Sequence, residues 1–252
     1  MDDHTVEEAI NNYASTKAML ATDASNILKV LDPFTAFADE ILATAEGNSL
    51  RLSAIDPAHV AMIKADLDIG DVPGPYSHWE TFKANVPVDR LVGPLKSFGN
   101  ELVAMSVFDD RIEIVNDRAM RMARTVGGDP ITLRIPEINC AAETTLDSDG
   151  IARILGITKI RDYIDISCDR TAFIVSTASD TESATLRFPG QFDASYHSAL
   201  PADYVVSILT HIKPGKGVVA VSFDTDYPVS FRWQVGGVKF EVIVAPRVEA
   251  ER

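Results

Sequence analysis

The chain has 252 residues with 37 acidic and 23 basic side chains, a formal charge of −14. That length is one large domain or two of ordinary size, and the charge excludes a protein that simply adheres to nucleic acid, so any DNA role must use local positive patches. At 46% hydrophobic and 24% charged the chain can bury a core, and no apolar run approaches the roughly 18 residues of a membrane span.

Within the acidic excess, 24 Asp outnumber 13 Glu and 14 Arg outnumber 9 Lys. A strongly charged surface keeps a protein soluble in concentrated salt, so a halophilic, high-salt cytoplasm is expected. The N-terminal MDDHTVEEAINNY lacks the charged-then-apolar order of a secretory signal and predicts an intracellular, cytoplasmic protein. Cys140 and Cys168 are too few for a disulfide framework or a four-ligand zinc site and read as small buried hydrophobes. The five histidines are scattered without an H-x-x-x-H pair, so no metal and no cofactor is expected.

In chain order, residues 1–15 are polar and acidic and read as a loose tail in preference to a capped helical turn at Thr5–Ala9. A short strand from Lys17 leads into a helix in which Ile27, Leu28, Leu31 and Phe34 recur at helical spacing, and Pro33 is expected to kink or end it. Residues 49–55 and 59–67 alternate as strands around the turn signature Asp56-Pro57-Ala58. After the loop 70–75 come a strand around 79–84 and a helix over 88–98 that must accommodate Gly93-Pro94. Strands 101–107 and 111–115 meet at the turn 108–110. Residues 124–137, with Gly127, Gly128, Pro130 and Pro136, read as a linker. The order then repeats: a helix at 148–155, strands at 163–168, 172–177 and 184–188, a helix at 201–209 with Pro201 as its first residue, and strands at 217–223, 229–234 and 238–244. The reading is an α+β chain of two tandem copies of one helix–strands–helix–strands module, residues 16–123 and 138–252, joined by 124–137.

Enzyme signatures fail in turn. Lys213-Pro214-Gly215-Lys216-Gly217 lacks the spacing and the hydroxyl of a phosphate loop and reads as a turn, and neither Gly-Gly pair lies between a strand and a helix. There is no G-x-S-x-G elbow. Asp56 and His59 can be written as an acid–base pair, but a carboxylate beside a proline turn usually bonds its own backbone. No catalytic residue is assigned, and an acid-rich hydrolase is the least supported class.

Two segments are more specific. Leu50-Arg51-Leu52-Ser53-Ala54-Ile55-Asp56-Pro57-Ala58-His59-Val60-Ala61-Met62 resembles the strand–turn–strand of the PCNA family of DNA sliding clamps, archaeal type. So does the ending Asp224-Thr225-Asp226-Tyr227-Pro228-Val229 with Val244-Ala245-Pro246-Arg247-Val248-Glu249, while Ile135-Pro136-Glu137 resembles the end of the family's interdomain connector and Ser25–Lys29 its first helix. The resemblance runs from about residue 17 to 250. It implies the DNA clamp fold: a ring of three identical subunits, each of two like-folded domains, with helices lining the hole and antiparallel sheets outside. It further implies a non-enzymatic processivity factor that slides on double-stranded DNA without base specificity. Its partners would be DNA polymerase, a clamp loader and other clients carrying a short docking motif, and its place the nucleoid, with no membrane involved.

The same resemblance assigns surfaces. The DNA-facing candidates are Lys29, Arg90, Lys96, Arg153, Lys159, Arg161, Lys213 and Lys216; Gly93, Gly156, Asp203 and Thr210 stand where relatives often carry cations, so weak or cation-mediated DNA contact is expected. The client-docking candidates are Ile55, His59, Leu133, Ile135, Pro228, Ile243, Ala245, Pro246 and Arg247, with Ile55 and Ile243 also readable as core and Cys140 standing where an aromatic is frequent. Subunits would join through two edge strands, with Arg118, Met120 and Met122 on one and Thr185, Leu186 and Phe188 on the other. The acidic total predicts repulsion between subunits and a ring that opens at low salt. A specialised clamp-like subunit of a mixed ring, or a regulator that binds clients without encircling DNA, is the alternative.

Overall fold

The computed structural model describes residues 6–11, 16–125, 132–160, 162–212 and 217–247. They form five α-helices and seventeen strands: α1 Val6–Asn11, β1 Ala18–Asp23, α2 Ala24–Leu31, β2 Glu40–Glu46, β3 Ser49–Ile55, β4 Ala61–Asp68, β5 Tyr76–Trp79, β6 Phe82–Pro87, α3 Val88–Phe98, β7 Leu102–Val107, β8 Arg111–Asn116 and β9 Ala119–Arg124 come first. Then follow β10 Ala142–Leu146, α4 Ser148–Ile157, β11 Tyr163–Asp169, β12 Ala172–Ala178, β13 Ser183–Pro189, β14 Tyr196–Pro201, α5 Ala202–His211, β15 Val219–Phe223, β16 Val229–Val235 and β17 Val238–Val244. Two compact units result: one of residues 1–57, 63–134 and 236–239, the other of 58–62, 135–235 and 240–252.

The helices form where apolar residues recur at helical spacing. Ala24, Ile27 and Leu31 are the buried positions of α2, and Val88, Leu91, Val92, Leu95 and Phe98 those of α3. Helix α2 ends at Leu31, just before Pro33, as expected; Pro33 sits in the first turn of a 3-10 segment, Asp32–Ala36, where its missing N–H costs nothing. Pro94 lies inside α3 next to exposed Gly93, on the side where the freed carbonyl of Arg90 can turn to water, and the helix stops at Gly99 with φ 60°. In α4 the Asp147 side chain accepts from the Gly150 N–H at 2.8 Å, closing the first turn. Pro201 ends β14 and caps α5 in an extended conformation, one residue earlier in its role than the sequence suggests.

In the first unit β5, β1, β7, β8 and β9 form a sheet in that order, and β6, β2, β3 and β4 lie side by side. In the second, β10, β15, β16 and β17 form one run and β13, β12, β11 and β14 another. The registers are antiparallel, for example Ala21 opposite Ala104, Ala104 opposite Val115 and Val115 opposite Met120. The hairpin β11–β12 is closed by Asp169, whose carboxylate accepts from Thr171 N–H, Thr171 Oγ1 and Ala172 N–H, while Arg187 pairs with its other oxygen. These bonds hold its carboxyl far below the usual carboxylate range, the Thr171 backbone bond being the largest cause.

Several expectations are corrected. Residues 6–11 are not a tail but a helix, with Val6 buried against Met19, Ala21 and Ala104. The strand expected at 79–84 is two strands in two sheets, parted at Glu80-Thr81. Strands β2, β10 and β14 fall where none was foreseen, and β4 starts at Ala61 because His59 takes a left-handed turn with φ 58°. Residues 132–140 form neither helix nor strand; Gly127, Gly128 and Pro130 of the expected linker lie outside the described residues.

Candidate functional site

The docking candidates of the second unit are organised by β14. One edge of this strand pairs with β11, with His197 opposite Ser167 and Ala199 opposite Asp165. On its other edge two successive outward carbonyls are taken: His197 C=O accepts from Asp226 N–H at 2.9 Å and Ala199 C=O from Arg247 N–H at 2.8 Å. The loop 224–228 and the terminal segment 245–247 are thereby held to neighbouring positions of a single strand. Ser198 Oγ donates to Tyr227 C=O at 3.1 Å, and the Cys140 thiol donates to Pro228 C=O at 3.6 Å. Asp224 fixes the start of the loop by accepting from Thr225 N–H and Ala141 N–H. Ala245 N–H donates to Val60 C=O at 2.8 Å, which brings the exposed His59 turn to the same segment. The Arg247 guanidinium lies 4.6 Å from the centre of the Tyr163 ring.

Pro228, Ala245 and Pro246 are therefore half-buried neighbours with exposed His59 and Arg247. Ile243 is buried and belongs to the interior. Ile135 is half-buried in the second unit, whereas Ile55 and Leu133 are half-buried in the first. The sequence reading missed Tyr227, 38% exposed on the pinned loop, and Tyr163. It missed them with β14, whose Ser198, Ala199 and Leu200 are all buried and so break the period-two signal. Burial, with Asp224 adding to it, pushes the Cys140 thiol up, so it stays a neutral donor. Asp56 is buried while His59 is exposed, so the two do not form an acid–base pair on a common surface. Among the described residues no group of three or more His, Cys, Asp or Glu could hold a metal ion, and no helix is long and apolar enough to cross a membrane.

Of the helix-associated cations, Lys29, Arg90, Lys96, Arg153 and Lys159 are exposed; Arg161, Lys213 and Lys216 lie outside the described residues. Two are neutralised where they stand: Lys96 Nζ is 2.9 Å from Asp32 and Arg153 is 2.8 Å from Asp149 one turn away. Lys29 donates to Asn26 at 2.9 Å. Helix α5 carries no Lys or Arg and has Asp203 in its first turn. Exposed pairs of this kind add at most about 1 kcal/mol to stability, but beyond a Debye length of about 8 Å each pair presents almost no net charge.

The joining candidates occupy outermost strands. β9 borders its sheet, with Met120 40% and Met122 57% exposed, and Arg118 reaches Glu101 at 3.2 Å. β13 borders the other sheet, with Thr185 exposed and Leu186 and Phe188 half-buried; the Phe188 ring lies 6.0 Å from that of Phe173.

No protein-family model matches the chain. It is 23% identical to the DNA polymerase sliding clamp of Methanocella arvoryzae, over 92% of this chain and 98% of that protein. It is 23% identical to that of Methanococcoides burtonii, over 94% and 99%, and 22% identical to that of Thermoplasma volcanium, over 89% and 96%. Among solved structures, the A. fulgidus PCNA bound to the C-terminal region of FEN-1 superposes with a TM-score of 0.81 at 24% identity, covering 93% of this chain and all of that one. PCNA from Entamoeba histolytica gives 0.79 at 15% identity, covering 92% and 100%. The two-unit α+β architecture is thus the DNA clamp fold. More narrowly, the sequences it resembles along nearly their whole length are archaeal DNA polymerase sliding clamps, at 22–23% identity.

Proposed function

We propose that this protein is a DNA sliding clamp, a processivity factor that tethers DNA polymerase and other replication and repair proteins to duplex DNA. The observation that carries the reading is the likeness to archaeal sliding clamps over 98–99% of their length, with the clamp fold throughout. Three copies would close head to tail through β9 and β13, whose outer edges offer unpaired backbone, with Arg118, Met120 and Met122 meeting Thr185, Leu186 and Phe188. A closed ring is retained by topology, so its DNA contacts can be few and independent of sequence. Clients would insert an apolar plug beside Pro228, Ala245 and Pro246, as expected for helix-in-groove recognition, with Ile55, His59, Leu133, Ile135, Ile243 and Arg247 as further candidates. The clamp performs no chemistry of its own, and a loader would open it.

Two measurements test this. Light scattering across a range of salt should give a trimer, with dissociation at low salt if the acidic total dominates. Primer extension on a circular template should lengthen when the protein is loaded. A subunit that stays single at every ionic strength and leaves product length unchanged would sink the proposal. The ion-paired Lys96 and Arg153 and an α5 that carries Asp203 but no Lys or Arg favour a second reading, a client-binding member of a mixed ring. Changing Lys29, Lys96 and Arg153 together to Glu separates the two: a DNA-encircling clamp loses processivity while staying assembled, and a client-binding member does not change.

A further inference from the structure

We infer that Tyr227 is the contact for a cationic side chain, lysine or arginine, carried by the docked client segment. This rests on the docking function proposed above and adds to it the charge of the residue beside the client's apolar anchor.

Three observations converge on Tyr227. Its side chain is 38% exposed although the backbone around it is fixed on every side: Asp226 N–H on His197 C=O, Tyr227 C=O on Ser198 Oγ, and Pro228 C=O on the Cys140 thiol. Asp226 adopts a left-handed conformation, φ 51°, that turns the chain at this point. An aromatic ring presented from a rigid loop has little conformational entropy left to lose on binding, which is the usual character of an anchor residue. Two aspartates precede it in the same loop, Asp224 and Asp226, and supply negative charge there, with Asp224 locked in place by Thr225 and Ala141. A client carboxylate would be repelled here and a cation attracted.

The same surface also displays the chemistry in question. Arg247, anchored one carbonyl further along β14, places its guanidinium 4.6 Å from the Tyr163 ring centre. A tyrosine of this surface therefore already holds a cation over its face, supplied by the chain itself. Tyr227 offers a second ring, beside two carboxylates, to a cation supplied by a partner. Asp165, in contact with His197 at 3.2 Å, and Asp193, bonded to Tyr196 Oη at 3.1 Å, keep the surroundings of β14 negative.

Fluorescence anisotropy with three labelled peptides tests this. Each carries the FEN-1 C-terminal region, the segment seen on the A. fulgidus clamp, with the residue flanking its apolar anchor set to Lys, Gln or Glu. Wild-type protein should bind the Lys peptide about two- to five-fold more tightly than the Gln peptide, as an exposed cation–π contact predicts, and the Glu peptide most weakly. Tyr227→Ala should erase the Lys-over-Gln preference while still binding the Gln peptide, and Tyr227→Phe should keep it. Equal affinity of wild type for Lys and Gln peptides, or a preference that survives Tyr227→Ala, overturns the inference and leaves the docking function standing. Failure of all three peptides to bind wild type sinks the docking function, and the inference with it.

Discussion

The first sheet of each unit is built on the same plan, a strand before the first helix followed by three strands after the second, yet the two treat one of their faces in opposite ways. In the first unit that face carries Met19 and Ala21 of β1, Ala104 of β7 and Val115 of β8, and the first three are fully enclosed because Val6, Ala9 and Ile10 of α1 pack over them with Tyr76. In the second unit the corresponding rows carry Glu143, Ser222 and Ser230. Here Ser222 donates to Glu143 at 2.8 Å, Ser230 donates to Glu241 at 2.7 Å, and Arg232 bridges Glu143 and Ser222. A sheet face can be left to water when its side chains bond one another, as the second does; a face of methionine and alanine needs a cover, and α1 is that cover. Through Val6, Ala9 and Ile10, α1 is therefore part of the first unit's packing and not an appendage to it.

Substitutions can break this comparison, and the largest effect is expected beneath β1. Gly74 crosses over that strand with φ 150°, a Cβ there would overlap the carbonyl oxygen of Ala21, and Thr22 Oγ1 bonds the adjacent Pro73 carbonyl. Gly74→Ala should cost about 3 kcal/mol or more, read as a drop in the unfolding midpoint; a neutral result would mean that the loop does not clamp β1. Next, Val6→Asp should cost about 2 kcal/mol by removing a buried side chain and placing a charge against Met19, with faster amide exchange in β1 and β7. If stability is unchanged, the cover is dispensable and the contrast between the faces fails. In the second unit Arg232→Ala should cost only about 0.5 kcal/mol in urea titration, since Arg232 and Glu143 are both exposed and Ser222 still satisfies Glu143.

The smallest effect sharpens the contrast through pH. Asp169 has its carboxyl depressed in the folded state, so the stability it contributes is fully present above the ordinary carboxylate range and is lost progressively as the pH falls below that range toward the depressed folded value. Asp169→Asn should flatten the acid limb of the stability curve and leave the limb above neutrality alone. No comparable acid dependence is expected from the first unit's covered face, which holds its neighbours by apolar packing.

What the sequence disclosed follows the same division. Elements with one clean period were legible: α3 from Val88 to Phe98 with its five buried apolar positions, and β11, whose residues alternate between buried and half-buried along its whole length. The repeated helix–strands–helix–strands order could be read from these, while the clamp fold was implied by the motif resemblance at 50–62, 224–229 and 244–249. Elements that are buried on both sides were harder. In Ala18-Met19-Leu20-Ala21-Thr22 every residue is enclosed, and this absence of alternation was the available sign that something covers β1, although the acidic character of residues 1–15 pointed instead to a tail. For the proposed docking surface, Pro228, Ala245, Pro246 and Arg247 could be named from the sequence because the loop and terminal motifs that hold them carry the resemblance. Its organising strand was not, because hydrogen bonds from distant segments, and not its own pattern, bury Ser198, Ala199 and Leu200. The neutralisation of Lys96 was likewise hidden, since Asp32 is distant in sequence, whereas that of Arg153 was within reach of the pattern, Asp149 lying one helical turn away.

The carbonyls of His197 and Ala199 act as a ruler. Alternate residues of an extended strand are set about 7 Å apart by backbone geometry alone, so the spacing between the loop at Asp226 and the segment at Arg247 does not depend on which side chains either one displays. Mutation can rewrite the residues shown at both points while the gauge between them stays fixed, which would let one scaffold acquire new binding preferences without being rebuilt.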